Sequence, residues 1–269
     1  MTGGPAGEGV SLDTSVPHIA RVYDYWLGGK DNFAADRVVA EQVIATLPEI
    51  RLSVRAQRAF LGRAVHYLAA KAGIRQFLDI GTGLPSANNT HEVAQRAASE
   101  SRVVYVDNDP IVLLHARSLL TSNPEGATAY VDADLRDLDA ILARATEILD
   151  FGRPVAVMLL GVLHCIPDDD DPAALVARLM EAVPPGSYLA LSHPASDVAT
   201  EQMATSMRTY NDQAPIPLTA RSHAEVSALF DGLDLLDPGV VQLHRWRAGT
   251  GAPGIARDLP NYGALARKP

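Results

Sequence analysis

The sequence predicts a mixed α/β fold in which an open, mostly parallel sheet follows a helical extension. Two observations support this prediction. Five short segments rich in β-forming residues alternate with gaps long enough for helices, and this alternation is typical of βαβ units around a parallel sheet. Ahead of these segments, residues 17–72 have apolar residues at helical spacing, so we expect them to form the extension.

Three helices are expected in this extension. Gly28 ends the first, Asp31 or Asn32 caps the start of the second, and Pro48 follows its end. The third helix has apolar residues on one face and a glycine after its last turn. The expected bounds are residues 18–27, 33–46 and 52–72.

The remaining chain, residues 73–269, is expected to form one domain around the sheet. Its tail has no helix-length periodic segment between residues 232–246 and 261–268, so these stretches are predicted to form an antiparallel hairpin at one edge. The strands ahead of the hairpin are expected at residues 76–80, 102–107, 127–132, 155–162 and 188–193.

Composition excludes several classes of protein. The formal net charge of −9 leaves no long basic track, so we expect no nucleic-acid partner. The single cysteine, Cys165, excludes an internal disulfide framework and a cysteine-rich zinc site. No window approaches the roughly eighteen consecutive apolar residues of a membrane span. We therefore expect a cytoplasmic protein without a membrane partner, whose Gly-, Ser- and Thr-rich residues 1–16 are disordered.

The stretch "DIGTGLP" follows the first predicted strand, where open α/β sheets bind ligands. Gly81 and Gly83 permit a tight turn and a close approach of backbone to ligand. The dinucleotide pattern requires a third glycine, but Ser86 stands in its place, so the match to that pattern is weak. A turn that binds nothing is the structural alternative.

Asp79, at the end of the first strand, favours one kind of ligand. A carboxylate about 4 Å from a pyrophosphate charge costs on the order of 4 kcal/mol at the effective dielectric of a protein surface. An ammonium or sulfonium group would instead be stabilised there. S-adenosylmethionine has both groups and no phosphate.

Two more acidic residues follow the next two strands. Asp107 is placed to accept hydrogen bonds from both hydroxyls of a ribose, with Asn108 beside it, although it could also serve as a helix cap. Asp134 is placed to meet the exocyclic amine of an adenine, and Leu135 to pack on the adenine face. Solvated acids in loops are common, so Asp134 alone indicates little.

The motifs "FLDIGTGLP", "VVYVDNDP", "DADLRD" and "LLGVLHCIPDDDDP" resemble those of class I S-adenosylmethionine-dependent methyltransferases. From "IARVYDYWLGGKDNF" to "YGALARKP", residues 16–269 resemble an actinobacterial methyltransferase-like family formerly listed as a domain of unknown function. The resemblance implies a Rossmann-like, seven-stranded sheet with a reversed edge hairpin, and S-adenosylmethionine as cofactor. It does not imply a substrate. Because Pro85 stands where the class favours glycine, we expect the next helix to begin near Asn89 or Thr90.

Methyl transfer requires alignment of the acceptor, exclusion of water and, for some acceptors, removal of a proton. The acceptor is expected beyond the fourth strand, where His164 is the candidate general base because histidine titrates near neutral pH. A hydrogen bond from His164 to a loop carbonyl is the structural alternative. His193 is a second, weaker candidate. Cys165 is not favoured as a nucleophile.

The acidic run "DDDDP" at residues 168–172 is interpreted as a solvated helix cap rather than a metal site, because consecutive acidic residues cannot all face one ion. No metal is therefore expected. In the connection after the fifth strand, Tyr210, Asn211 and Arg221 either shape an acceptor pocket or belong to a plain surface loop.

The extension, residues 17–72, is hypothesised to fold over the cofactor as a lid. In this hypothesis Arg21 or Lys30 meets the carboxylate of the methionine moiety. The aromatic residues near Arg21 are interpreted as packing contacts, because their helical spacing is typical of a core face.

The leading functional prediction is an S-adenosylmethionine-dependent methyltransferase that acts on a small molecule at oxygen, carbon or an amine. The tetrapeptide Asn-Pro-Pro-Tyr, used by many enzymes that methylate amide or base nitrogens, is missing after the fourth strand. Two alternatives stay open: a non-catalytic S-adenosylmethionine-binding sensor or partner module, and an NAD-dependent oxidoreductase.

Overall fold

The computed structural model describes residues 13–112, 114, 122–248 and 257–269, so most of the predicted disordered N-terminus lies outside the described residues. The extension contains three helices whose bounds lie within two residues of those predicted. Gly28 ends the first helix in the left-handed conformation, with a φ of 88°, as expected for a glycine stop. The helices are α1 (Ile19–Leu27), α2 (Ala34–Thr46) and α3 (Ile50–Ala70).

The predicted cap of α2 is wrong. The helix is preceded by Phe33, and the carboxylate that accepts the hydrogen bond from the Phe33 backbone N–H, at 2.8 Å, is that of Asp36 within the first turn. Asn32 lies outside the helix, where its side-chain amide donates to Asp24 and to the Gly29 carbonyl. The Asp36 carboxylate, which lies inside the first turn of α2, therefore takes the place of the expected cap from Asp31 or Asn32.

The sheet has the predicted, mostly parallel architecture with an antiparallel edge, but the described residues form eight strands instead of the seven that the resemblance implies. Its order is β3-β2-β1-β4-β5-β8-β6, with β7 also paired to β8; the first five strands pair in parallel, and β8 runs antiparallel to its neighbours. The strands are β1 (Gln76–Ile80), β2 (Arg102–Asp107), β3 (Ala127–Asp132), β4 (Ala156–Leu160), β5 (Tyr188–Pro194), β6 (Asp234–Leu235), β7 (Val241–Gln242) and β8 (Asn261–Arg267).

Two predicted stretches differ from the observed strands by more than one residue at an end. β4 ends at Leu160, because Gly161 adopts a φ of 75° and starts a turn. The edge stretch at residues 232–246 forms two short strands instead of one, since the chain turns between them: Gly239 donates its backbone N–H to the Leu236 carbonyl.

The helices that follow the extension surround the sheet. One begins at Thr90 after an Asn89 cap, as predicted for the loop containing Pro85. A further helical segment starts at Pro110, where the Asp109 carboxylate accepts the Ile111 backbone N–H at 2.9 Å. The helices described in full are α4 (Thr90–Ala97), α5 (Leu138–Ala145), α6 (Pro172–Glu181), α7 (Thr200–Asn211) and α8 (His223–Ala228).

Two buried apolar clusters contain alternate residues of the sheet strands, as expected for a sheet covered on both faces. A third cluster joins α1, α2 and α3 to α7 and to Leu218. This cluster therefore packs α1 and α2 on the sheet domain, whereas most of the buried face of α3 belongs to one of the two sheet clusters. Within the described residues, no helix is long and apolar enough to cross a membrane.

Candidate functional site

A cavity lies at the carboxyl ends of the parallel strands, under α1, α2, α3 and α7. The volume of this cavity is about 210 Å³. Part of its wall is formed by residues at or just after the carboxyl ends of β1, β2 and β3, together with two residues from the extension. We call the following set the polar half: Asp79, Gly81, Gly83, Asp107, Asn108, Asp134, Leu135, Arg136, His18 and Arg58.

We call its apolar half the lining residues that belong to the third apolar cluster. They are contributed by α1, α2, α3, α7 and the segments after β4 and α7. They are Ile19, Tyr23, Trp26, Val43, Ile50, Val54, Cys165, Met207, Tyr210 and Leu218.

Asp79 is the most deeply buried carboxylate of the polar half, with 5% of its surface exposed. Burial raises its pKa to about 6, although the Thr90 hydroxyl, which donates to Asp79 Oδ2 at 2.6 Å, and the Arg58 charge oppose this rise. Asp79 forms no ion pair with any described residue. A buried carboxylate without an ion-pair partner favours a cationic ligand group.

The glycine turn after β1 packs against the turn after β4. Gly81 has a φ of 73°, and a Cβ added there would lie 2.3 Å from Val162 Cγ2, so a side chain is excluded on both grounds. Gly83, with a φ of 66°, would meet nothing within 4 Å. The backbone at Gly83 is therefore open to a ligand, as the loop motif predicts.

Asp107, at the end of β2, is 9% exposed and is held in place by two backbone groups. Gly83 N–H donates to Oδ2 at 2.8 Å and Asp109 N–H donates to Oδ1 at 2.9 Å. Burial raises the pKa of Asp107 above its usual range. Each oxygen keeps a second lone pair, so the carboxylate can still accept two hydroxyl hydrogen bonds.

Asp134 and Leu135 follow β3 in the same half. Asp134 accepts hydrogen bonds from the Arg136 backbone at 2.8 Å and from Asn108 Nδ2 at 3.1 Å, and it also pairs with the Arg136 guanidinium. Most of its acceptor capacity is thus used within the protein. Leu135 is buried and provides an apolar wall.

Neither cation proposed for the lid lines the cavity. Arg21 is 4% exposed; its Nε lies 3.2 Å from Asp36 Oδ1 and its Nη2 donates to the Val16 carbonyl at 2.6 Å. Lys30 is exposed. The extension instead contributes His18, whose Nδ1 lies 2.9 Å from Asp109 Oδ2, to the cavity wall.

Sequence reasoning missed a stripe of α3. Ser53, Gln57 and Arg58 all line the cavity. Gln57 donates to the Leu160 carbonyl at 3.0 Å, and Arg58 Nη2 donates to the carbonyls of Ala87 and Asn88. A detectable signal existed, because Ser53 and Gln57 are four residues apart and so share one side of the helix, beside its core face, with Arg58 adjacent to Gln57. Arg58 is the cationic side chain from α3 that lines the cavity.

His164 lies in a short 3₁₀ turn after β4, is 8% exposed and lines the cavity. Burial lowers its pKa to about 3, with smaller contributions from the nearby His193 and Arg221. Its Nδ1 is buried without a hydrogen-bond partner, and its Nε2 has no partner among the described residues. The imidazole is therefore neutral at physiological pH and can accept a hydrogen bond.

His193, the second base candidate, does not line the cavity. Its two ring nitrogens are engaged: Nδ1 lies 3.0 Å from the Pro194 carbonyl and Nε2 lies 2.8 Å from Arg221 Nη1. Arg221 also donates to the carbonyls of Leu163 and Ile166 and pairs with Asp168 at 2.7 Å. This network fixes the loop that presents His164.

The remaining candidates have structural roles or none in the cavity. Burial raises the pKa of the Cys165 thiol to about 12, which removes its nucleophilic form at neutral pH. Asp171 caps α6 by accepting the Ala174 backbone N–H, and Pro172 occupies the first turn. No described group of His, Cys, Asp or Glu residues is arranged to hold a metal ion.

The connection after β5 contributes to the apolar half. Tyr210 is 2% exposed and lines the cavity. Asn211 does not line it; its side chain bonds to the backbone of Leu218 and so fixes the segment that reaches the cavity. Cys165 connects the two halves, since it belongs to the apolar cluster and is near enough to Asp107 and Asp134 to interact with them electrostatically.

Comparisons with known proteins indicate a methyltransferase. A model of a family described as S-adenosyl methyltransferase matches residues 5–269. The chain is similar to a solved DUF574 family protein from Streptomyces avermitilis, with 46% identity, a TM-score of 0.93, and coverage of 96% of this chain and 99% of that chain. It is also similar to a candidate methyltransferase from Thermobifida fusca, with 39% identity, a TM-score of 0.87, and coverage of 95% and 96%.

A more distant structure shares the fold alone. The mitomycin 7-O-methyltransferase is 20% identical, with a TM-score of 0.52 and coverage of 81% of this chain and 56% of that chain. No curated protein matches the chain. None of the reported matches supports an oxidoreductase or a non-catalytic sensor.

Proposed function

Because the chain belongs to the S-adenosyl methyltransferase family, we propose that it transfers a methyl group from S-adenosylmethionine to a small molecule. The acceptor atom is an oxygen, a carbon or an amine nitrogen. The cofactor occupies the polar half of the cavity and the acceptor occupies the apolar half. When bound, S-adenosylmethionine supplies a methyl group activated by its sulfonium.

The observation that carries this proposal is the buried Asp79. Its carboxylate lines the cavity without an ion-pair partner among the described residues, and burial raises its pKa. The ammonium of the methionine moiety supplies the missing positive charge. A pyrophosphate in the same position would be repelled, which favours S-adenosylmethionine over NAD.

Further side chains of the polar half fit the same ligand. Asp107 would accept the ribose hydroxyls with its two remaining lone pairs, and the open backbone at Gly83 would approach the nucleoside. Leu135 would pack on the adenine. Arg136 already uses most of the hydrogen-bond acceptor capacity of the Asp134 carboxylate. The adenine amine would therefore share that carboxylate with Asn108 as well.

Arg58 would hold the carboxylate of the methionine moiety. It lines the cavity, it is close enough to lower the pKa of Asp79, and only its Nη2 is engaged with backbone carbonyls. Arg21 and Lys30 do not line the cavity. The lid hypothesis is thus kept for residues 17–72, with Arg58 and His18 as its contacts to the cofactor.

The residues around the acceptor would exclude water and orient the acceptor group. α1, α2 and α7 cover the apolar half with buried side chains, including Val22, Trp26 and Tyr210. His164 lines the same cavity. Because burial lowers its pKa to about 3, it is a weak proton acceptor at neutral pH, contrary to its prediction as a general base, and it would orient the acceptor by accepting a hydrogen bond.

Calorimetric titration tests the cofactor. S-adenosylmethionine and S-adenosylhomocysteine are expected to bind at micromolar concentrations, whereas NAD is not. Binding of NAD without either S-adenosyl compound would overturn the proposal. A crystal structure with S-adenosylhomocysteine then distinguishes an enzyme from a sensor. An enzyme requires open space for the acceptor between the cofactor sulfur and His164. A cofactor sulfur that is fully enclosed by protein atoms would favour the sensor.

A further inference from the structure

We propose that the acceptor is an uncharged, largely apolar molecule of aromatic-ring size that carries a hydroxyl group, and that this hydroxyl donates a hydrogen bond to His164. This inference rests on the proposed function and narrows its acceptor class. It follows from the charge, the unpaired polar atoms and the walls of the apolar half.

Charge excludes ionic acceptors. The carboxylates and guanidinium groups that line the cavity, including Asp79, Asp107 and Arg58, belong to its polar half, and no charged side chain is among the residues that define the apolar half. The titratable groups there are Tyr23, Tyr210 and Cys165, and burial raises the pKa of each. Charges of the polar half still reach this surface, because Arg58 acts electrostatically on Tyr23, and Asp107 and Asp134 act on Cys165. In the proposed complex Arg58 and Asp107 are engaged by the cofactor, and Asp134 is paired with Arg136. A charged group on the acceptor would therefore lose its hydration without a free counter-charge.

Unpaired polar atoms identify the acceptor's functional group. Neither ring nitrogen of His164 has a hydrogen-bond partner among the described residues, and the buried Ser53 Oγ also lacks one. Both residues line the cavity. Ser53 Oγ and His164 Nδ1 are enclosed by protein atoms, whereas His164 Nε2 is not. A neutral imidazole accepts through one ring nitrogen, so Nε2 is the atom left to accept a hydrogen bond from a hydroxyl ligand.

The walls indicate a flat, apolar body for the molecule. Tyr23, Trp26 and Tyr210 present aromatic rings, and Met207 adds a flexible side chain that adapts to ring-shaped ligands. The Trp26 indole N–H and the Tyr23 hydroxyl already donate to the carbonyls of Ala40 and Val54. These two side chains therefore offer the ligand apolar surface rather than hydrogen-bond donors.

Matched naphthalene probes test the inference on the wild-type protein. Binding of 2-naphthol, 2-methoxynaphthalene, 2-naphthoate and 2-naphthylmethylammonium would be measured by calorimetry at pH 7.5 with saturating S-adenosylhomocysteine. We expect 2-naphthol to bind at least about tenfold more tightly than either charged probe, because only the charged probes are desolvated without compensation. We expect it to exceed the methyl ether by about fivefold, the worth of one hydrogen bond.

A variant pair assigns the hydrogen bond. His164→Phe keeps an aromatic ring but removes the acceptor nitrogen, so the preference for 2-naphthol over 2-methoxynaphthalene should disappear. The control, His66→Phe, changes an exposed histidine of α3 and should retain the preference. S-adenosylhomocysteine affinity is measured for both variants, so that damage to the cofactor site is distinguished from loss of the hydroxyl contact.

The outcomes separate this inference from the proposed function. If S-adenosylhomocysteine binds but a charged probe binds as tightly as 2-naphthol, or none of the four probes binds, the acceptor class is wrong and the methyltransferase proposal stands. If His164→Phe keeps the hydroxyl preference, the role of His164 is wrong. Failure of S-adenosylhomocysteine to bind would instead remove the proposed function.

Discussion

The two halves of the cavity are built in different ways. The polar half comes mainly from the carboxyl ends of three adjacent strands. Its key residues lie within two residues of a strand end: Asp79, Asp107 and Asp134. The apolar half comes from helices separated by more than a hundred residues, such as α1 and α7. Parallel topology alone brings the first set together, whereas the second set depends on how the extension packs against the sheet domain.

The largest expected effect concerns the packing of the extension. Arg21→Ala leaves the fully buried Asp36 without its ion-pair partner, and breaking such a pair costs about 3–5 kcal/mol of unfolding free energy. Urea denaturation measures the loss. Arg55→Ala, an exposed arginine of α3, is the control. The double variant Arg21→Met with Asp36→Asn removes both charges but keeps an oxygen that can accept a backbone N–H from His18 or Phe33, so it should recover part of the stability. Equal loss in the control would contradict the role of the pair.

The next largest effect concerns the ribose contact. Asp107→Ala removes a carboxylate proposed to accept two hydroxyl hydrogen bonds, so S-adenosylhomocysteine affinity should fall about 100-fold, or ~2.7 kcal/mol. Asp132→Ala provides a matched control, because Asp132 is the exposed register partner of Asp107 on β3. A change of less than threefold in Asp107→Ala, measured by calorimetry, would argue against a ribose at this position.

Asp79 should make cofactor binding depend on pH. Its pKa in the free protein is about 6 because of burial, and the cofactor ammonium favours the ionised form. Affinity for S-adenosylhomocysteine should therefore be constant above pH 6 and fall about tenfold per pH unit below it, as protonation of Asp79 competes with binding. In Asp79→Asn this dependence should vanish and affinity at pH 7.5 should drop. An unchanged pH profile in Asp79→Asn would assign the titration to another group, such as Asp107.

The same contrast explains which features were predictable from the sequence. The family resemblance, the mostly parallel sheet with its antiparallel edge and the late start of α4 are confirmed, because each depends on local motifs or on short connections. The cap of α2 was predicted wrongly, since Asp36 and Asn32 compete over a few residues and only the packing of α1 decides between them. The pairing of Arg21 with Asp36 likewise depends on the contact between α1 and α2. The spacing of apolar residues along the sequence does not predict which helices contact each other.

The smallest expected effects compare the two candidate cations directly. Arg58→Ala should lower S-adenosylhomocysteine affinity about tenfold, because it removes a partly buried charge from the cavity beside Asp79. Lys30→Ala should change affinity less than twofold, because Lys30 is exposed and does not line the cavity. Both variants would be measured by calorimetry at the same ionic strength, since screening would weaken any long-range contribution from Lys30.

The opposite results would assign the contact with the carboxylate of the methionine moiety to Lys30 instead of Arg58. A tenfold loss in Lys30→Ala with none in Arg58→Ala would mean that the "GGKDNF" segment moves onto the cofactor when it binds. The extension would then close as a lid through its loop rather than through α3. A loss in Arg58→Ala alone would place the methionine moiety against α3, and the extension would act on the cofactor through a helix that is already docked before binding.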